Sequence, residues 1–499
     1  MNKQLCFASL LLCACFSPND PLIVTTGSDD STADASGDPT TASSTISTTL
    51  GTATEPTDGS DPSTDPTPTS ADDTSTAGAA VCGNGEVEGE EVCDDGENDG
   101  SYGGCKEDCT ALGPHCGDGV TNGDEPCDDG DEVNGNGCNL DCVVSGTVLW
   151  TVTYDGNAHG SDQGNGVAVD DADNVFVAGS ESSGGTPRGW LRAFDADGNA
   201  SWTEVHASAA GGVNYTEVTV DPDGDVVVAG SAAATGQGNN AVVRKYNFDG
   251  DTLWTEMFDD GDALDQVANG IGTDLEGYFA ESGTDDGDIF VRRLDENGNE
   301  MWRDTVDGIG TDSGRRLAID SEGNIVVVGL LSEPEGSRIW TRKYNSNGNT
   351  VWTRIADEAG NGSMGARDVA VDADGSVYVA AFMGDSEVGS TYVRKYDSGG
   401  DEIWTNDGSG GDVEMYDVGA VVVDSAGNLI ATGLAGPSIS EIGLVKYDAT
   451  GALRWGEMLT ADTGFSVGRN LAIDSHDNIL VAGNSLVETT DIFVAKVAP

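Results

Sequence analysis

The sequence predicts an all-β protein: a seven-bladed β-propeller of four-stranded antiparallel blades, preceded by a small disulfide-rich module and a disordered linker. Three observations predict it. A unit of about 50 residues recurs between residue 143 and the end, marked by Trp150, Trp202, Trp254, Trp302, Trp352, Trp404 and Trp455. An Asp closes a short apolar run once per unit, at Asp170, Asp221, Asp274, Asp320, Asp372, Asp424 and Asp474. Between these markers apolar residues alternate and Gly/Asn/Asp turns follow, with no intervening helical period. Units this small cannot bury both faces alone, so they must stack into a ring.

Residues 1–15 read as an export signal, with Lys3 and the terminal amine ahead of an apolar stretch from Leu5 to Leu12. Leu12-Cys13-Ala14-Cys15 resembles a bacterial lipobox, which implies Cys15 as the acylated residue. Cys13 fits worse because Leu12 before it is bulky, and ordinary signal removal is the alternative. Phe16 after that Cys implies, by the same resemblance, sorting to the outer membrane and the cell surface. Residues 16–81 are rich in Ser, Thr, Asp and Pro and carry 11 acids and no base. Such a stretch buries too little apolar area to offset backbone entropy, so it is expected to be a disordered tether.

Residues 82–142 hold eight Cys in two copies: Cys82, Cys93, Cys105, Cys109, then Cys116, Cys127, Cys138, Cys142. Cys82-Gly83-Asn84-Gly85 matches Cys116-Gly117-Asp118-Gly119, and Cys93-Asp94-Asp95-Gly96 matches Cys127-Asp128-Asp129-Gly130. With so few apolar residues, disulfides must supply much of the stability, which implies an oxidising compartment. Three pairings per copy are open on spacing alone. Zinc is the competing reading, but the spacings are not those of paired knuckles. The Asp pairs suit calcium or plain turns. The segment resembles the myxobacterial cysteine-rich repeat of secreted and surface proteins.

The ring is read over residues 147–499. Its first unit gives four short strands at residues 166–170, 174–179, 190–194 and 200–203. Texts such as Asp320-Ser321-Glu322-Gly323-Asn324-Ile325-Val326-Val327-Val328-Gly329 resemble bacterial β-propeller repeat families. The last unit lacks a fourth strand, while a lone strand of that type, Val148 to Val152, stands before the first unit. These two ends are expected to pair and close the ring. Unit three carries Gly277-Tyr278-Phe279-Ala280-Glu281 where others are apolar, so its blade is expected to be the least ordered.

Turns such as 170–174 and 195–199 are expected to make one face tight, and connections at 155–166, 256–270, 304–316, 354–368 and 406–420 to elaborate the other. Binding is expected on the elaborated face. Its candidates are Arg315, Arg367 and Arg469, just before three inner strands and aimed near the channel, with Asp265, Asp312 and Asp417. They suit an anionic sugar or carboxylate. The competing reading is that they neutralise acids in a region of 59 acids and 20 bases. Arg192, Arg244, Arg292, Arg342 and Arg394 form a further column, read as blade packing. Asp-rich turns resemble fragments of calcium loops but lack the distal Glu, so no cofactor is expected, with calcium as the alternative.

A net charge of -66 excludes a nucleic-acid phosphate surface. No run of apolar residues is long enough to span a bilayer, so membrane contact is expected only through the anchor. His115, His159, His206 and His476 occupy unrelated repeat positions, and no GxSxG, HExxH or phosphate-loop motif occurs. The expectation is a monomeric, non-catalytic, surface-displayed binding or adhesion protein for an unknown protein or glycan. The alternatives are a carboxylate-dependent glycoside hydrolase or lyase, and a passive spacer of the envelope.

Overall fold

The computed structural model describes residues 81–499 except 132, 157, 237, 260–264, 335, 357–362, 385–389, 407–412, 437–440, 460–464 and 487–488. The proposed anchor Cys15 and residues 16–80 of the tether lie outside the described residues. From residue 148 the chain forms seven four-stranded antiparallel sheets, one per repeat. Blades one to six occupy 163–206, 213–258, 266–306, 313–356, 363–406 and 415–459. Blade seven combines three strands from 465–497 with Val148–Tyr154 as its outermost strand.

Ring closure follows the expected register. Trp150 pairs with Lys496, Val152 with Val494 and Tyr154 with Ile492. Both ends of the repeat domain therefore share one sheet, and that sheet has no unfilled fourth place. Beside it, Ala498 N donates to Thr147 O at 2.8 Å and Gly146 N to Ala498 O at 3.1 Å.

Neighbouring blades bury the second and third strands on both faces. In blade one Val175, Phe176, Val177 and Ala178 are wholly inaccessible; burying a Val or Phe side chain contributes about 1.5–3 kcal/mol. The marker Trp has a second task. Trp302 Nε1 donates to Ser346 O, 3.0 Å away in the outer hairpin turn of the next blade, and Trp150, Trp202, Trp254, Trp352 and Trp404 do the same. The ring lies against the glycine of that turn. Gly348, at φ +82°, would place a Cβ 2.8 Å from the Trp302 ring, so both the turn conformation and the close approach require glycine. Blade seven has no such turn, because its outer strand comes from the other end of the domain. Trp455 Nε1 is accordingly buried without a partner among the described residues.

The marker Asp organises the inner hairpin. Asp320 Oδ1 accepts Glu322 N at 3.0 Å and Asn324 N at 2.9 Å, while Oδ2 meets Lys343 Nζ at 2.8 Å. Lys245–Asp221, Arg293–Asp274, Lys395–Asp372, Lys446–Asp424 and Lys496–Asp474 repeat the ion pair. Ala193 stands at this place in blade one. The repeat text shows the Asp; that its partner is a column of cations on the third strand emerges only from the fold.

Three expectations need correction. Inner and outer strands reach further than read, so the connection after Val148–Tyr154 shrinks to 155–162 and that after Glu300–Val306 to 307–312. The opposite face is not uniformly elaborate, since it also carries two-residue hairpins at 184–185 and 286–287. Blade three is a complete sheet in which the departing residue Glu281 is buried and accepts Arg292 Nε at 2.9 Å. Its polar text is answered by an internal cation.

The cysteine module closes four disulfides: Cys82–Cys109, Cys93–Cys105, Cys116–Cys142 and Cys127–Cys138. Of the three pairings open per copy, both copies adopt the nested one. The Asp pairs serve the turns. Asp94 accepts N–H groups from Gly83, Asn84, Gly85 and Gly96 at 2.7–3.0 Å, and Asp128 repeats the pattern with Gly117, Asp118, Gly119 and Gly130. Desolvation pushes the Asp94 carboxyl up, but these four donors together hold it below the ordinary range.

Candidate functional site

Every inner strand carries a β-bulge at the same position. The bulged residues are Asn165, Thr216, Asn269, Arg315, Arg367, Gly419 and Arg469. A bulge leaves one residue unpaired and re-aims its side chain, and here it does so at the edge of the sheet nearest the axis. The three candidate arginines therefore lie within the inner strands, not before them as the text suggested.

In blades one to three the bulged side chain stitches neighbours together. Asn165 Nδ2 donates to Tyr215 O at 2.8 Å, Thr216 Oγ1 to Ala268 O at 2.6 Å, and Asn269 Nδ2 to Gly314 O at 2.7 Å. Each acceptor is the carbonyl just ahead of the next blade's bulge. The arginines break this series. Arg367 reaches the next blade through a two-pronged contact, Nε to Asp417 Oδ1 and Nη2 to Asp417 Oδ2, both at 2.9 Å. Arg315 and Arg469 make no hydrogen bond or ion pair with any described residue, and both are exposed.

Arg316, which the sequence reading passed over, crosses the channel. Its Nη1 donates to Thr216 O at 3.0 Å and Asn269 O at 2.8 Å and pairs with Glu217; its Nη2 lies 3.5 Å from Asn165 O. Glu217 also accepts Asn470 Nδ2 at 3.1 Å on each oxygen, and Asn470 Oδ1 accepts Val167 N. Asp368 accepts Val421 N and Val369 N, both at 2.8 Å. Arg316, Glu217 and Asn470 thus form a polar floor joining five of the seven inner strands, and Asp368 joins the other two. Burial pushes Glu217 up to about 7, with Arg316 opposing, and Asp368 up to about 6.

Four guanidinium groups thus gather near one end of the axis. Arg315 is accessible to solvent, yet the channel wall desolvates it, and together with Arg367 and Arg316 pulls it below the ordinary guanidinium range. Arg469 is lowered by desolvation and by Arg316 and Arg367, against a small upward pull from Asp417. Carboxylates answer two of the four, Glu217 for Arg316 and Asp417 for Arg367, and none among the described residues pairs with Arg315 or Arg469.

Of the three candidate acids, only Asp417 belongs to this cluster. Asp265 accepts Asn239 N at 2.6 Å, and Asp312, wholly buried, accepts Ser332 N at 2.7 Å. Asp162 plays the same part in blade one, taking Gly156 N and Ser182 N. These acids pin the incoming connection to the neighbouring hairpin, a structural task. The arginine column behaves as packing: Arg292 meets Glu281 and Glu256 and lies 4.4 Å over the Phe258 ring, and Arg342 meets Asp304 and lies 5.0 Å over Trp340. His206 shares a hydrogen bond with the Tyr215 hydroxyl, and burial, reinforced by Arg244, brings it down to about 4.

The tight-turn face holds a recess of about 600 Å³ between blades one to three, lined by Val169, Asp170, Asp221, Phe248, Asp274 and Leu275. Asp221 and Asp274 are already paired with Lys245 and Arg293.

Residues 152–180 match the family described as Beta-propeller repeat. No curated protein matches the chain. Among solved structures the chain is similar to Drosophila Plexin A in complex with Semaphorin 1b, at 9% identity over 71% of this chain and 87% of that one, with a TM-score of 0.43. A Lactobacillus plantarum protein aligns at 17% identity over 60% and 86%, with a TM-score of 0.42. A gluconolactonase from Xanthomonas campestris aligns at 13% identity over 70% and 91%, with a TM-score of 0.35.

Proposed function

We propose that this chain is a non-catalytic binding protein displayed on the outside of a cell, which takes its ligand at the channel mouth on the face where the inner strands begin. The single observation that carries the reading is the pair Arg315 and Arg469, exposed cations without a partner among the described residues, in a chain with four times as many acids as bases. Side chains serving only the fold would be stitched as Asn165, Thr216 and Asn269 are. The four disulfides support export to an oxidising compartment, and the lipobox-like Cys15 supports lipid anchoring at the outer membrane.

The test is an array of glycans and surface proteins probed with purified residues 143–499, with and without chelator. Saturable retention with no turnover is expected; retention of nothing on the array favours a spacer. One observation favours a second reading, a carboxylate-dependent hydrolase or lyase: Glu217 and Asp368 are raised carboxyls in the channel. Both are buried and engaged, which weighs against it. Release of reducing sugar, abolished in Glu217→Gln, would establish that reading instead.

A further inference from the structure

The reading above leaves the ligand's chemistry open, and the internal repeat narrows it. Arg367 shows how a guanidinium at this bulge is satisfied: the fork closes on both oxygens of a carboxylate presented by the next blade. That carboxylate belongs to Asp417, two residues ahead of the bulged Gly419. The same count, applied to the blade following Arg315, arrives at Gly365, two residues ahead of the bulged Arg367. A Cβ on Gly365 would meet no atom within 4 Å, so the space that Asp417 fills for one arginine is open for the other. Applied to the blade following Arg469, the count arrives at Gln163, which brings no charge.

We propose that the channel mouth is a carboxylate-binding site, in which Arg315 and Arg469 grip one or two carboxylates of a compact, otherwise neutral ligand, as Arg367 grips Asp417. The proposal rests on the binding reading and adds the class of ligand. The same chemistry is offered by a free small dicarboxylate and by an acidic sugar. A polyanion does not fit: residues 143–499 carry 59 acids against 20 bases, and a long anionic chain leaving the mouth would run across that field. Arg316, Glu217 and Asn470 are engaged with one another and with the inner strands, which leaves Arg315 and Arg469 for a single ligand.

Isothermal titration of the purified full chain with succinate, D-galacturonate, D-galactose and polygalacturonate tests this. Succinate or galacturonate is expected to saturate one site per chain, and which of the two binds more tightly identifies the source. Galactose and polygalacturonate are expected to bind at least tenfold more weakly. Arg315→Gln combined with Arg469→Gln should cost at least tenfold. Gly365→Asp should cost as much by supplying the carboxylate internally, with its unfolding transition retained; the φ of Gly365 lies outside the left-handed region, so an Asp is accommodated.

Equal affinity for galactose and galacturonate, tight binding of polygalacturonate, no binding of either small carboxylate, or unchanged affinity in a folded Gly365→Asp chain would each overturn the proposal. Should the array retain a ligand equally in wild type and in the double variant, the binding reading stands and the carboxylate site falls. An empty array beside silent titrations would remove both.

Discussion

Two carboxyls in the channel floor set how the fold responds to pH. Glu217 lies at about 7 and Asp368 at about 6, in each case because burial outweighs the attraction of Arg316. In the unfolded chain both ionise near pH 4, so between about pH 4 and 7 the folded state holds more protons than the unfolded state. Stability from these groups is therefore fully present only below about pH 4, declines as pH rises from there, and is lost once pH has passed through 6 for Asp368 and 7 for Glu217. For Glu217 alone the effect is on the order of 3 kcal/mol. Thermal melts from pH 5 to 8 should show a Tm that falls with pH in wild type and is flatter in Glu217→Gln; equal slopes would contradict the assignment. Asp320 has the opposite sign. Desolvation raises it, but Lys343 and Asn324 prevail and lower it, so its stabilisation is lost as pH falls below the ordinary carboxylate range. Its side chain and that of Lys343 are both about 5% exposed or less. Lys343→Met strands a buried charge and should cost about 3 kcal/mol, read as a lower denaturation midpoint, with much of the loss recovered when Asp320→Asn is added.

Blades and turns divide into what the text announces and what it conceals. Trp and Asp recur at fixed places because each is used identically in almost every blade, and a repeated physical task leaves a repeated letter. The pairing of Val148–Tyr154 with Thr490–Val497 was legible for the same reason, since a missing fourth strand and a spare one of that type stand at opposite ends of the repeat. Bulges leave no such mark. The bulged position reads Asn, Thr, Asn, Arg, Arg, Gly, Arg, so no single letter marks it in every blade, and only the register shows that Arg315, Arg367 and Arg469 share a place with Asn165. Grouping Asp265 and Asp312 with the arginines failed because nearness in the text to the start of an inner strand says nothing of whether a side chain turns to the axis or back to the hairpin. Arg316 was missed because one residue of offset moves a side chain from the channel mouth to its floor. The Trp column gives a prediction at this scale. Trp302 donates to Ser346 O and Trp455 Nε1 has no described acceptor. Trp302→Phe should thus cost about 1 kcal/mol more than Trp455→Phe in chemical denaturation; equal costs would show that the indole N–H contributes nothing to blade stacking.

At the scale of the molecule, closure decides whether there is a mouth at all. The ring is held shut by one strand, whose Trp150, Val152 and Tyr154 pack against Val175, Val177, Trp190, Ile492 and Val494 across the junction of blades seven and one. Polar contacts reinforce that junction: Asp173 accepts Ser475 N at 2.9 Å and Ser475 Oγ at 3.0 Å. Removing the strand would strip the apolar cover from one side of blade seven and expose the ladder edge of Thr490–Val497, which then offers itself to another copy. Arg469 belongs to this blade, whereas Arg315 is carried by blade four, three blades away around the ring. Loosening the junction should therefore weaken carboxylate binding without touching either guanidinium. A chain beginning at residue 156 should melt at least 10 °C below one beginning at residue 143, form higher oligomers in size-exclusion chromatography, and lose succinate affinity. A monomeric chain with unchanged Tm would mean that the seven blades hold their ring through stacking alone, and the mouth would then owe nothing to the strand that completes the last blade.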